Sequence, residues 1–123
     1  MAANKIIRFG PVALIATATN IINPPTITGG TGLAGVNVNT YVILRHLRIV
    51  NKTAIVATFS LYIGATGAAI AGSEFMGTAQ QIAANSYVDW YGLVRLDAAD
   101  FLTGLASSAT TLTIEGEGEI GVA

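Results

Sequence analysis

The chain of 123 residues contains no cysteine, which excludes both a disulfide framework and a thiolate metal site. Its three prolines all fall before residue 26, so no later strand is interrupted by a missing backbone donor. The single histidine, His46, is the only imidazole base on offer, and no serine stands in a nucleophile-elbow context. An enzyme is therefore not expected. Charge is the scarcest commodity: 11% of residues, against about 25% in ordinary domains. With 52% hydrophobic residues, the chain has little material for a polar skin. A surface covered by neighbouring subunits answers that shortage, because obligate interfaces are depleted in charge and resemble a core cut in half.

Acids are absent from the first 73 residues. Lys5, Arg8, Arg45, Arg48 and Lys52 give that stretch a charge of +5. From Glu74 onward, Glu74, Asp89, Asp97, Asp100, Glu115, Glu117 and Glu119 stand against one base, Arg95, a net −6. Two arrangements fit this sorting. Early and late strands can be sheet neighbours that pair charges within one subunit, or a basic surface of one subunit can meet an acidic surface of the next. The second makes Lys5, Ile6, Ile7, Arg8, Phe9, Arg45, Arg48, Glu115, Glu117 and Glu119 candidate interface residues.

Long apolar helices are missing too. Residues 55–72 are uncharged for 18 positions, the length at which a spanning helix is considered. Three glycines, two threonines and a serine interrupt the run, and Phe59, Leu61 and Ile63 alternate with Thr58, Ser60 and Tyr62. Alternation marks a half-buried strand, so no membrane span is expected. The N-terminus lacks a secretory pattern, since Lys5 and Arg8 lead into a β-like stretch broken at Pro11.

What is present is strand pattern throughout. Lys5–Phe9 and Val12–Thr17 flank a Gly10-Pro11 turn pair. Residues 20–40 hold two Pro, four Gly and four Asn, a loop of a length that is usually functional. Tyr41–Val50 predicts a strand with Ile43, Leu47 and Ile49 on one face and Val42, Leu44, His46 and Arg48 on the other. Asn51-Lys52-Thr53 reads as a turn. Thr58–Ile63, Glu74–Ile82, Tyr87–Val94, a short strand after Asp100, and Thr110–Glu115 extended by Glu117–Val122 follow. About eight short strands with turn signals every 8–12 residues predict an all-β, antiparallel β-sandwich. Residues 1–40 are expected to form an N-terminal arm with a Gly/Pro-rich loop, and residues 41–123 the sandwich. Only Gln80–Ala84 allows a helical turn.

The candidate motifs each lack a necessary partner. Gly30-Thr31-Gly32-Leu33-Ala34-Gly35 matches G-x-G-x-x-G, but no helix follows to supply the dipole that holds a pyrophosphate. Asp97 and Asp100 have the spacing of a turn in which Asp side chains cap backbone N–H groups. Glu115, Glu117 and Glu119 share one strand face; a solvated edge, a contact with cationic side chains of the same or another subunit, and a calcium site all remain open. Tyr87, Trp90 and Tyr91 form the main aromatic cluster, read either as a core Trp with flanking tyrosines or as a sugar-binding platform. A nucleic-acid platform needs a positive groove, and this half is acidic. Asn51-Lys52-Thr53 fits a glycosylation sequon, which matters only on a secretory route. No cofactor, metal, nucleic acid or membrane partner is expected.

The stretches RHLRIVNKT, TFSLYIGATG, IAANSYVDWYGLVRLDAADFLTG and TLTIEGEGEIG carry a family likeness across Tyr41–Val122. Together they resemble small β-sandwich structural proteins of tailed-bacteriophage virions, particularly those that decorate the capsid exterior. The resemblance implies a jelly-roll-like fold and a homo-oligomer, commonly a trimer. It also implies binding to the major capsid protein at capsomer joints, in a virion assembled from protein made in the host cytoplasm. The first forty residues lie outside it. The expected function is thus a capsid decoration (cement) protein, with a tail, fibre or baseplate component and a carbohydrate-binding module as alternatives.

Overall fold

Alternating apolar and polar residues leave each strand one face to bury, and two sheets facing one another are the economical solution. The computed structural model describes residues 5–22, 40–64, 73–97, 100–108 and 112–122. Eight strands are found there: β1 (Lys5–Leu14), β2 (Thr19–Ile22), β3 (Thr40–Asn51), β4 (Ala57–Gly64), β5 (Glu74–Ile82), β6 (Ser86–Leu96), β7 (Phe101–Ala106) and β8 (Leu112–Val122). They form two antiparallel four-stranded sheets, ordered β1-β8-β3-β6 and β2-β7-β4-β5. The all-β class and the two-sheet arrangement match the sequence reading. The Gly30–Gly35 motif and most of the 20–40 loop lie outside the described residues, as does most of the Gly/Ala loop after Gly64.

The core lies between the sheets. One sheet contributes Leu14, Val42, Leu44, Leu47, Ile49, Leu96, Leu112, Ile114 and Ile120; the other contributes Ile21, Ile22, Ala57, Phe59, Leu61, Ile82, Leu102 and Ala106. Each fully buried Leu or Ile removes enough apolar surface from water to contribute about 1.5–3 kcal/mol. Leu14, Ile21 and Ile22 belong to this core, so the expected arm requires correction. Residues 5–22 do not reach beyond the domain: β1 pairs with β8, and β2 pairs with β7. The two predicted strands around Gly10-Pro11 are one strand, whose register breaks between Phe9 and Val12. Gly10 sits at that break with φ +78°, where a side chain would strain the backbone and meet the Ile114 carbonyl oxygen at 2.6 Å.

A second correction concerns β3. Val42, Leu44, Leu47 and Ile49 are all buried, while Ile43, His46 and Arg48 are not. The inward phase changes between Leu44 and His46, where the registers with both β6 and β8 shift. Against β8 Arg45 is one inserted residue, while β6 sets Gly92 and Leu93 opposite it, and the side chains that follow Arg45 on β3 move to the other face. The prediction for Gln80–Ala84 also changes, since Gln80–Ile82 complete β5 and the turn follows them.

Asn51, read as a turn residue, is 1% exposed. Its side-chain nitrogen donates to the carbonyls of Ile55 (2.8 Å), Ile82 (3.1 Å) and Ala83 (3.2 Å). Its side-chain oxygen accepts from the Thr53 backbone N–H (3.0 Å) and the Thr53 hydroxyl (2.7 Å). One amide thereby ties the β3–β4 connection to the end of β5. The same burial withdraws the sequon's acceptor nitrogen from solvent. At the other end of the sandwich, the Asp100 carboxylate accepts from the Asp97 backbone N–H at 2.9 Å, the capped turn that the spacing predicts.

Candidate functional site

The outer face of the β1-β8-β3-β6 sheet collects most of the chain's charge. At its centre β8 alternates Glu115, Glu117 and Glu119 outward with Gly116 and Gly118 inward. Inward glycines are required because β3 lies so close. A Cβ at Gly118 would overlap the Ile43 carbonyl oxygen, and one at Gly116 the His46 carbonyl oxygen. The E-G-E-G-E run therefore makes an acidic ladder on a strand flanked on both sides. The solvated-edge reading of these glutamates is corrected: β8 is interior to its sheet.

Both flanks answer the ladder with cations. Arg8 on β1 reaches Glu115 at 3.0 Å, and Arg45 on β3 pairs with Glu119. His46 on β3 lies with Nδ1 3.8 Å from Glu117 and Nε2 3.0 Å from Asp89 of β6. Arg48 completes the row through two bonds to Asp89, from Nε at 2.7 Å and from a terminal nitrogen at 2.9 Å. The Arg48 guanidinium, with His46 as a lesser contributor, holds the Asp89 carboxyl down to about 2 against partial desolvation. Reciprocally, the bond to Asp89 pushes Arg48 above its ordinary range. The charge sorting along the sequence is thus resolved within one subunit: early basic strands lie beside late acidic ones.

Aromatic rings lie over this row. Tyr91 stacks on His46 with centroids 4.6 Å apart, and Arg48 lies over the Tyr87 ring at 4.6 Å. Arg95 lies over Tyr41 at 4.3 Å and bonds Asp97 at 2.6 Å. Trp90 does not join the tyrosines. It faces inward opposite Leu47 and meets Phe75 edge-on at 5.0 Å. The three aromatics that could have formed a sugar platform are divided between two faces.

Among the predicted interface residues, Ile6, Arg8, Arg45, Arg48, Glu115, Glu117 and Glu119 share this outer face. Ile7 and Phe9 turn inward against the core, and Lys5 stands opposite Ile120 at the start of β1. A shallow groove of about 290 Å³ runs between Arg8, His46, Arg48, Glu115 and Glu117. A second depression of about 590 Å³, lined by Arg45, His46, Tyr91, Gly92, Leu93 and Glu117, opens toward β6. Among the described residues no group of three or more His, Asp or Glu is arranged to hold a metal ion. No described helix is long and apolar enough to cross a membrane.

Sequence reasoning missed Asp89 and Leu93. Asp89 is the node of the charged row, and its alternation with Tyr87 and Tyr91 was the available signal. Leu93 is 70% exposed beside Tyr91, at 71%. No protein-family model matches the chain, and no curated protein matches it either.

Proposed function

We propose that this chain is a structural subunit of a tailed-phage virion, a capsid decoration (cement) protein that acts as a homo-oligomer. It binds the major capsid protein on the outer shell and reinforces the joints between capsomers by adding buried surface there. The observation that carries this reading is how the molecule spends its few charges. Ion pairs within the subunit engage Arg8, Arg45, Arg48, Arg95, Asp89, Glu115 and Glu119. Meanwhile Ile6, Ile55, Val56, Tyr87, Tyr91 and Leu93 stay exposed, Ile6 at 83%. A surface that neutralises its own charge and leaves large apolar groups outside fits a subunit meant to be covered.

The strand order supports the finer fold reading. Eight strands ordered β1-β8-β3-β6 over β2-β7-β4-β5 follow the double-sheet path of a jelly roll, an architecture shared by viral capsid and lectin domains. Function does not follow from fold alone, so the test is location. Gold-labelled antibody against this chain, applied to intact particles, should mark the shell. Label confined to the tail would replace the proposal with a tail, fibre or baseplate role. Particles without label would refute it.

A further inference from the structure

Unpaired sheet edges are where chains join, and proteins normally blunt them with prolines, bulges, charges or short strands. Among the described residues this sandwich has four: β1 and β6 in one sheet, β2 and β5 in the other. Three are blunted. β1 carries Lys5, Arg8 and the Gly10-Pro11 break; β2 is four residues long. β5 breaks register between Phe75 and Gln80, with Met76 and Ala79 in left-handed conformations. β6 is different. It runs for 11 residues without proline, and it bears Tyr87, Tyr91 and Leu93, three of the large exposed hydrophobics. Its Asp89 is turned toward Arg48, and its Arg95 toward Asp97 and Tyr41. Its one register shift against β3 sets Gly92 and Leu93 opposite Arg45, and its side chains keep alternating through it, with Leu93 and Tyr91 exposed and Val94 and Trp90 against the core.

We propose that β6 is the strand through which two copies of this chain join. They pair antiparallel across a two-fold axis at Gly92, so that two four-stranded sheets continue as one of eight strands. The sequence of β6 selects a second copy as the occupant. About Gly92 the strand matches itself from both ends: Val88 with Leu96, Asp89 with Arg95, Trp90 with Val94, Tyr91 with Leu93. An antiparallel register that pairs these positions sets each Asp89 against the partner's Arg95, and each exposed Tyr91 against the partner's Leu93.

Opposite charges facing across strands favour a register, and like charges disfavour it. Sliding the pairing by two residues one way sets Asp89 against the partner's Asp97; the other way sets it against Leu93. The matched register alone satisfies charge and apolar positions together. Because every pair joins residues of the same parity, outward side chains stay outward in both copies. The Arg95–Asp97 contact is an exposed pair that yields readily to a second carboxylate. This is an isologous contact of the kind two-fold symmetry requires.

The inference stands apart from the virion reading, because purified protein decides it. Light scattering should give twice the chain mass, or a multiple of two copies. The natural chain has no cysteine. A mixture of Tyr91→Cys and Leu93→Cys chains should therefore oxidise to a covalent dimer several-fold faster than either variant alone. Leu93→Lys, which costs each copy a leucine's burial, should raise the dissociation constant at least about thirtyfold, with the β circular-dichroism signal retained. Arg95→Glu should act in the same direction by facing Asp89 with a like charge. A monomer at every concentration, a closed trimer, or an oligomer untouched by both substitutions would overturn the pairing while leaving the question of virion location intact.

Discussion

Replacing Asn51 tests how far one buried amide holds the ends of the sandwich. Its amide nitrogen serves three backbone carbonyls and its oxygen accepts from two Thr53 groups, all with the side chain 1% exposed. An intramolecular hydrogen bond contributes roughly 0.5–1.5 kcal/mol net, and a buried partner left unsatisfied costs more. Asn51→Ala removes all five bonds and strands the carbonyl of Ile82, so a loss of about 4 kcal/mol is expected. A domain of this length loses roughly 4 °C in Tm per kcal/mol, which places the melting point about 15 °C lower. Asn51→Asp sharpens the test because it preserves volume. It replaces the donor with a carboxylate oxygen facing three carbonyl oxygens, so at neutral pH it should destabilise at least as much as alanine. Thr53→Val should cost about 1 kcal/mol, since it deletes only the hydroxyl bonds. Urea unfolding of the three variants, followed by circular dichroism, gives the values. An Asn51→Ala variant within about 1 kcal/mol of the natural protein would refute the argument.

The Asp89 carboxyl is held down to about 2, below its ordinary unfolded value of about 3.9, so its contribution is fully present above the unfolded value and is lost as pH falls through about 2. Asp89→Asn should therefore flatten the fall in urea midpoint between pH 4 and 2; curves parallel to the natural protein's would count against it. Gly118→Ala should destabilise by about 1–3 kcal/mol or more, because the added methyl group meets the Ile43 backbone, which has nowhere to move without disturbing β3. By contrast, Arg8→Ala should cost less than about 1 kcal/mol, as its pair with Glu115 is exposed and screened by salt. Deleting residues 1–22 should abolish the β signal in circular dichroism, since Leu14, Ile21 and Ile22 are core residues; a folded truncation would contradict the assignment of β1 and β2 to the sandwich.

Much of the fold was legible because the apolar positions of β4 and β8 recur at every second residue, although Ser60 and Tyr62, read as the outer face of β4, are buried as well. Phe59 and Leu61, and Leu112 and Ile114, point inward as their spacing predicts. In β3 the same rule misplaced Val42 and Leu44, because a bulge is an accommodation to neighbouring strands and leaves no mark on the period. The glutamates of β8 announced a shared face but not a central position, since a face is a local property and strand order a global one. Likewise the Gly10-Pro11 pair read as a turn, whereas pairing with β8 carries the chain through it as a single strand. Asn51 looked like ordinary turn chemistry, and its burial depends on Ile82 and Ala83, some thirty residues away. The charge sorting was visible from the start. Which arrangement it took depended on β8 lying between β1 and β3.

That strand order also governs when the molecule can take shape. β8 follows the other seven described strands along the chain, yet it is the one that joins β1 to β3. Until Leu112–Val122 leave the ribosome, β1 lacks its described neighbour in the sheet, and it waits through the synthesis of the six described strands between them. Closing this sheet is consequently dominated by long-range pairing, which is slow and leaves strands exposed meanwhile. A product that terminates before residue 112 cannot close the sheet at all. Chains that lack β8 are thereby sorted from those that carry it by topology itself.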